Sequence, residues 1–374
     1  MDAPPDAKPS PDTREDVRGP YAAAGPAPDA TIRLIERMPK AELHLHLDGS
    51  LRIDTALKIA RTRGIDAPRT WAGMSGVLVG PPRSIDQATL LAAFDLPIAL
   101  MQDAEALERI TAELVEEKAA DNVRYMEIRW GPLLHVTGGL PLDEGIEAVV
   151  AGAERAARAT GTTVRLICTA IRSHDPEANV VLAETAARFR ERGLTGWDYA
   201  GQEARYPDPT IAARAYDAAR AGGLRITIHA GEWGGAAQVR RALAMDPERI
   251  AHGPGAADDP ALMVELRARR ICLDLCPTSN AQATIVPSVA AHPLARLHRA
   301  GNPVTLNTDD LTVSDLTLSE EYRNAVERIG LTLPELWAID RFALDVAFAD
   351  DATLAPLRAA FDAWAAGIPE LASA

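Results

Sequence analysis

The stretch RITIHAGEWGGAAQVRRALAMDPERIAHGPGAADDPALMVELRARRICLDL, residues 225–275, carries the reading that decides the fold. Three short apolar runs, Arg225–His229, Arg249–His252 and Ile271–Leu275, read as strands. The spacers between them have room for helices, and Leu262–Arg269 has a helix-like pattern. Strand, helix, strand in succession implies parallel strands joined by helical crossovers. Outward from this core, the alternation predicts strands over Glu42–His46, Val123–Trp130, Thr163–Thr169, Gly196–Ala200 and Pro303–Asn307. Helix-like segments fall over Ala104–Ala120, Leu142–Ala159, Val181–Glu191 and Thr210–Ala221. Eight such strands in an α/β chain imply closure into a (β/α)8 TIM barrel. The long gap from Leu51 to Asn122 holds further helical patterns at Asp54–Thr62 and Gln87–Asp95. A helical insertion after the first strand lies over the barrel mouth, where a substrate cover belongs. Leu331 to Ala374 reads as helices packed outside the barrel.

Barrels of this kind run to 374 residues as one domain, so residues 31–374 are read as a single domain. Residues 1–30 are rich in Pro, Ala, Asp and Gly and cannot repay their ordering entropy; a disordered tail is expected. The net charge of −14 argues against a nucleic-acid partner, which wants clustered Lys and Arg. A neutral small molecule suits that charge better than a polyanion. The three cysteines, Cys168, Cys272 and Cys276, point to reduced thiols and a cytoplasmic location. Cys272 and Cys276 bracket a strand-like run and read as small core residues rather than ligands. No run approaches the ~20 apolar residues of a membrane span. The opening Met1-Asp2-Ala3-Pro4-Pro5-Asp6 does not read as a secretory signal. The oligomeric state is not legible.

Catalytic groups of such barrels sit at the C-terminal ends of strands. Here those ends carry His44 and His46, Gly201, His229 with Glu232, His252, and Asp309 with Asp310. In a strand, residues two apart point the same way, so His44 and His46 share a face. Two imidazoles, a third at His229 and the Asp309 carboxylate make a nitrogen-rich set for a divalent metal with room for water. Two consecutive carboxylates ending an apolar strand are costly to bury unless compensated, and a metal compensates one. Glu232, three residues beyond His229, is a candidate proton donor or acceptor. His252 reads as a fourth ligand or a general base.

Five segments in order make the chain resemble the adenosine deaminase family, within the broader amidohydrolase group. They are residues 38–51 (MPKAELHLHLDGSL), His229-Ala230-Gly231-Glu232, Arg249-Ile250-Ala251-His252-Gly253, Leu275-Cys276-Pro277-Thr278-Ser279-Asn280 and Leu306-Asn307-Thr308-Asp309-Asp310. The resemblance runs from about Met38 to the end of the chain. It implies one Zn2+ per chain on His44, His46, His229 and Asp309. It implies catalytic roles for Glu232, which protonates the purine N1, for His252, which orients and activates the attacking water, and for Asp309. It implies purine contacts from Asp310 to N7 and from the Gly201 backbone to N3, a ribose contact from Asp48, and His46 beside the substrate. The implied reaction is hydrolytic deamination of adenosine and deoxyadenosine to inosine and deoxyinosine plus ammonia, in purine metabolism. The implied partner is a small-molecule purine nucleoside, with no nucleic acid and no membrane.

Trp130, Trp197 and Leu311 depart from the usual pattern and are expected near the pocket, where they bear on substrate choice. Aminodeoxyfutalosine and adenine are alternative substrates, and iron, cobalt or manganese alternative metals. A non-catalytic nucleoside-binding relative is the remaining reading; the presence of every ligand and of Glu232 counts against it.

Overall fold

The computed structural model describes residues 25–84 and 86–371. Of the expected disordered tail, residues 1–24 lie outside the described residues. The boundary at 30 shifts, because a helix already begins at Asp29 and Ala27 N–H donates to Glu327 Oε1 at 3.0 Å.

Eight strands follow one another around a single parallel sheet: β1 (Lys40–His46), β2 (Val123–Trp130), β3 (Thr163–Ile171), β4 (Leu194–Ala200), β5 (Arg225–His229), β6 (Arg249–Ala251), β7 (Cys272–Leu275) and β8 (Val304–Leu306). Each lies within two residues of its sequence expectation. Helices such as Ala104–Ala120 and Leu142–Thr160 cover the outside with buried Ile, Leu and Val faces.

The barrel closes between β1 and β8 through few contacts. Leu45 bridges Asp309 in parallel register; His46 N–H donates to Asp309 O at 2.7 Å and Asp309 N–H to His44 O at 3.1 Å. Below this bridge the Asn307 side chain takes over. Its Oδ1 accepts from both Leu43 N–H (2.8 Å) and His44 N–H (3.2 Å). Two consecutive amides on one acceptor mark a β-bulge: Glu42 pairs with Met126 and Leu45 with Ile128, so β1 spends one residue more than β2.

The insertion after β1 contains the expected helices and two more, Trp71–Leu78 and Asp95–Leu100. Leu90 and Ala93 bury against Ala283 and Val313, with Phe94, Trp233 and Ile285 packed around them. The insertion therefore covers loops at the C-terminal mouth. The helices Leu333–Val346 and Asp351–Ala365 do more than line the outside. Ala343, Leu344, Ala347, Leu354 and Phe361 pack on Ala41, Leu43 and Tyr125 and seal the opposite end.

Asn307→Ala leaves two buried amides without an acceptor, at about 1–3 kcal/mol each. Urea unfolding of this variant is expected to show a loss of about 2–6 kcal/mol. A midpoint like that of the wild type would refute the closure role.

Candidate active site

The bulge decides where the histidines point. Before it, Ala41 and Leu43 join the apolar cluster with Tyr125. The extra residue then shifts the alternation, and His44 and His46 face the upper interior. The Nε2 atoms of His44 and His46 stand 3.2 Å apart, and those of His46 and His229 also 3.2 Å apart. Asp309 Oδ1 lies 3.0 Å from His44 Nε2 and 3.4 Å from His46 Nε2.

His252 reaches the same space by a different device. Arg249 of β6 faces inward, where it meets Glu127 and Asp274. Strict alternation would turn His252 outward. Its backbone instead adopts φ +66°, and the ring sits 4.6 Å from that of His44 and 5.1 Å from that of His229, centroid to centroid. Asp309 is likewise left-handed, at φ +70°. Such backbones are costly for residues other than glycine and cluster at functional sites. Ligand atoms of His44, His229, His252 and Asp309 all lie within 4.8 Å of one another. His46 adjoins them through the contacts above.

Burial favours the neutral form of three of these imidazoles, His44, His46 and His252. It drives His44 well below its usual range, His46 to about 4 and His252 to about 3. Neutral imidazoles offer lone pairs, and with one carboxylate they form the donor set that a borderline divalent ion prefers. The residues fit a metal.

Around the cluster stand groups that orient it. His229 Nδ1 donates to Asp198 Oδ2 at 2.9 Å, so its Nε2 is the free nitrogen. Asp198 in turn meets Arg129 Nη1 at 3.1 Å. Ser279 Oγ donates to Asp309 Oδ2 at 2.7 Å.

Glu232 follows in the loop after β5, and its Oε1 lies 3.9 Å from His252 Nε2. Glu203 clamps this loop, accepting from the amides of Gly231 (2.8 Å), Trp233 (2.7 Å) and Gly234 (2.9 Å). Burial, then the nearby Asp309 and Glu203 carboxylates, push Glu232 well above the usual carboxylate range. The same causes, burial first and then Asp309, Asp48 and Glu232, raise Asp310 well above it. Asp310 Oδ1 is buried and has no hydrogen-bond partner among the described residues. A Cβ at Gly49 would strike it, so only glycine fits there. Gly201 directly follows β4 at φ +113°, a positive-φ conformation that also favours glycine. Asp48 is already engaged: Oδ2 accepts from Gly131 N–H at 3.1 Å and Oδ1 contacts His135 Nε2.

The structure gathers His44, His46, His229, His252 and Asp309, which the sequence reading named, around supports that it did not name. Asp198, a carboxylate inside an apolar strand, was a legible signal; Ser279 and Asn280 lay in a quoted motif without a role; Glu203 carried none. The expectation that Trp130 and Trp197 lie near the pocket is corrected. Arg129 and Asp198 face inward, so Trp130 and Trp197 face the helices, both fully buried in the outer core. Leu311 is likewise buried in the main core cluster.

A model of the adenosine deaminase family matches residues 39–364. The chain belongs to the adenosine deaminase family. It is 39% identical over 326 residues to an adenosine deaminase of Mycobacterium sp. (strain JLS), covering 80% of this chain and 87% of that one. Among solved structures, this family member is similar to the N6-methyl-AMP deaminase of Arabidopsis thaliana, at TM-score 0.79 and 31% identity, covering 91% of this chain and 99% of that one. It is also similar to an amidohydrolase of Burkholderia ambifaria with bound zinc, at TM-score 0.83 and 29% identity, covering 92% and 95%. This deaminase is a hydrolytic enzyme of a metal-dependent family, and its His/Asp cluster fits the metal.

Replacing the partner of a ligating histidine lowers metal affinity about 10–100-fold. Asp198→Asn, which removes the charge behind His229, is expected to weaken binding of the metal by that factor in chelator competition. Unchanged affinity would show that Asp198 serves only Arg129.

Proposed function

We propose that this deaminase converts adenosine and deoxyadenosine to inosine and deoxyinosine plus ammonia, using one Zn2+ per chain. The carrying observation is Glu232: buried, drawn toward its protonated form, and 3.9 Å from a histidine of the imidazole–carboxylate cluster. A proton donor beside a metal-fitting cluster is the minimum equipment for adding water to an aromatic amidine.

His44, His46, His229 and Asp309 would hold the zinc. Bound there, the ion would lower the pKa of water toward neutrality and so supply a nucleophile without a strong base. The chain's own groups do the rest. As the water oxygen adds to C6, electron density moves to N1, and Glu232 in its acid form delivers a proton there. His252 and Asp309 orient the water along that path. One water proton restores Glu232, and the other leaves with the amino group as ammonia when the C6–N bond breaks. The 6-oxo purine remains.

Binding follows from the surrounding groups. Asp310 in its neutral form donates to N7, the Gly201 amide meets N3, and His46 flanks the ring. Asp48 has lone pairs left after its contacts with Gly131 and His135, and these accept from a ribose hydroxyl. The acidic net charge disfavours a phosphorylated substrate and a nucleic acid. No helix of the described residues is long and apolar enough to cross a membrane. The same reading makes the chain from Ala27 onward one catalytic domain working in the cytoplasm on a small-molecule purine nucleoside.

Glu232→Gln keeps shape but carries no acid proton, and a lost acid–base role is worth roughly 10²–10⁴ in rate. The variant is expected to retain bound metal while kcat falls by that factor; near-normal turnover would assign N1 protonation elsewhere. In a side-by-side kcat/KM panel, adenosine and deoxyadenosine are expected to exceed AMP, adenine and aminodeoxyfutalosine. Asp48→Ala is expected to lose about one to two powers of ten on adenosine and much less on adenine. Adenine as the preferred substrate would remove the ribose role of Asp48; aminodeoxyfutalosine as the preferred one would keep a nucleoside but reject adenosine.

A further inference from the structure

Two residues with no assigned role stand behind His252. Asn280 Nδ2 lies 3.1 Å from His252 Nδ1, and Asn280 Oδ1 lies 3.1 Å from His292 Nε2. His292 Nδ1 in turn receives the backbone amide of Leu294 at 3.2 Å. All three side chains are buried, at 1% exposure for His252, 0% for Asn280 and 4% for His292.

The chain of contacts has one fixed end. A backbone amide only donates, so His292 Nδ1 must accept, and the ring proton sits on Nε2. His292 Nε2–H then donates to Asn280, which fixes the oxygen of that amide toward His292 and the NH2 toward His252. An amide NH2 only donates, so His252 Nδ1 must accept. The proton of His252 is therefore on Nε2, the nitrogen facing the site, 3.8 Å from Asp309 Oδ2 and 3.9 Å from Glu232 Oε1.

We infer that Asn280 and His292 are positioning residues that lock His252 as its Nε2–H tautomer, so that His252 offers the reaction a hydrogen-bond donor rather than a lone pair. The inference rests on the reading of His252 as the residue that orients the attacking water, and it narrows that reading. Held this way, His252 donates to the incoming oxygen and fixes its direction. It cannot act as the base that removes the water proton without first breaking the contact to Asn280. His252 is thereby excluded as a metal ligand through Nε2, since that nitrogen has no free lone pair, and the metal set contracts to His44, His46, His229 and Asp309.

The direct test is long-range proton–nitrogen NMR on zinc-loaded protein carrying nitrogen-15 histidine, which distinguishes protonated from bare ring nitrogens. The wild type is expected to show His252 protonated at Nε2 and bare at Nδ1; the reverse pattern overturns the inference without any variant. Asn280→Asp replaces the donor with an acceptor of nearly the same shape. In it the His252 Nδ1 is expected to gain a proton, while kcat for adenosine falls about 10–100-fold and KM changes little. His292→Phe is expected to give a similar loss of kcat, and His292→Gln, whose terminal amide can still donate to Asn280, to recover most of it. A bare Nδ1 in Asn280→Asp, or full kcat in His292→Phe, also overturns the relay. The expected tautomer in a protein that does not deaminate adenosine would instead count against the proposed substrate.

Discussion

Two arginines inside the barrel hold the layer beneath the site together. The interior of such a barrel is usually filled with branched aliphatic side chains. Here Arg129 of β2 reaches Leu43 O on β1 (2.8 Å), Asp198 on β4 (3.1 Å) and Asp274 on β7 (3.8 Å). Arg249 of β6 contacts Glu127 on β2, Asp274 at 3.0 Å and the carbonyl of Val346 at 3.0 Å. All five of these charged groups are fully buried. Buried charges are tolerated only when each is paired and its hydrogen bonds are filled, and removal of one partner costs several kcal/mol. The pairing thus ties the strands, one end-sealing helix and, through Asp198, the ring orientation of His229 into one electrostatic unit.

The donor cluster sits directly on that unit, which explains its chemistry. From below it receives a carboxylate on His229; from the side, Ser279 on Asp309 and Asn280 on His252. Three of the donors, His229, His252 and Asp309, are thus each aimed by a neighbouring side chain. Glu232 differs: its loop is clamped through backbone amides to Glu203, while its carboxyl is left in a buried acidic neighbourhood. Rigid support with an unneutralised side chain suits a group that must give up and recover a proton.

Much of this was legible in the sequence, because strand runs and strand-end polar residues are local signals. All eight strands appear where the periodicity puts them, and the candidate site residues lie at or just beyond their ends. What could not be read is set by long-range pairing. The phase change that turns His44 inward depends on Asn307, 264 positions away from Leu43. The contact between Asp48 and His135 spans 87 positions, and that between Asn280 and His252 spans 28. The inward turn of His252 is a single backbone angle that no alternation rule supplies. The two tryptophans were misplaced for a simpler reason: they were put near the pocket because they depart from the family pattern, whereas their neighbours Arg129 and Asp198 are the residues facing in.

The seam between β1 and β8 has a kinetic side. These are the first and last strands of the barrel, and their joining closes a loop of more than two hundred residues, a contact that pays its entropy before any reward. His44 and His46 lie on one lip of that seam and Asp309 on the other. A nascent chain therefore has no binding site until its last strand has been made and docked. Half-built molecules, in which strands are already paired but the ring is open, keep the histidines apart from Asp309, so the cluster that fits a metal is complete only in chains that have finished folding.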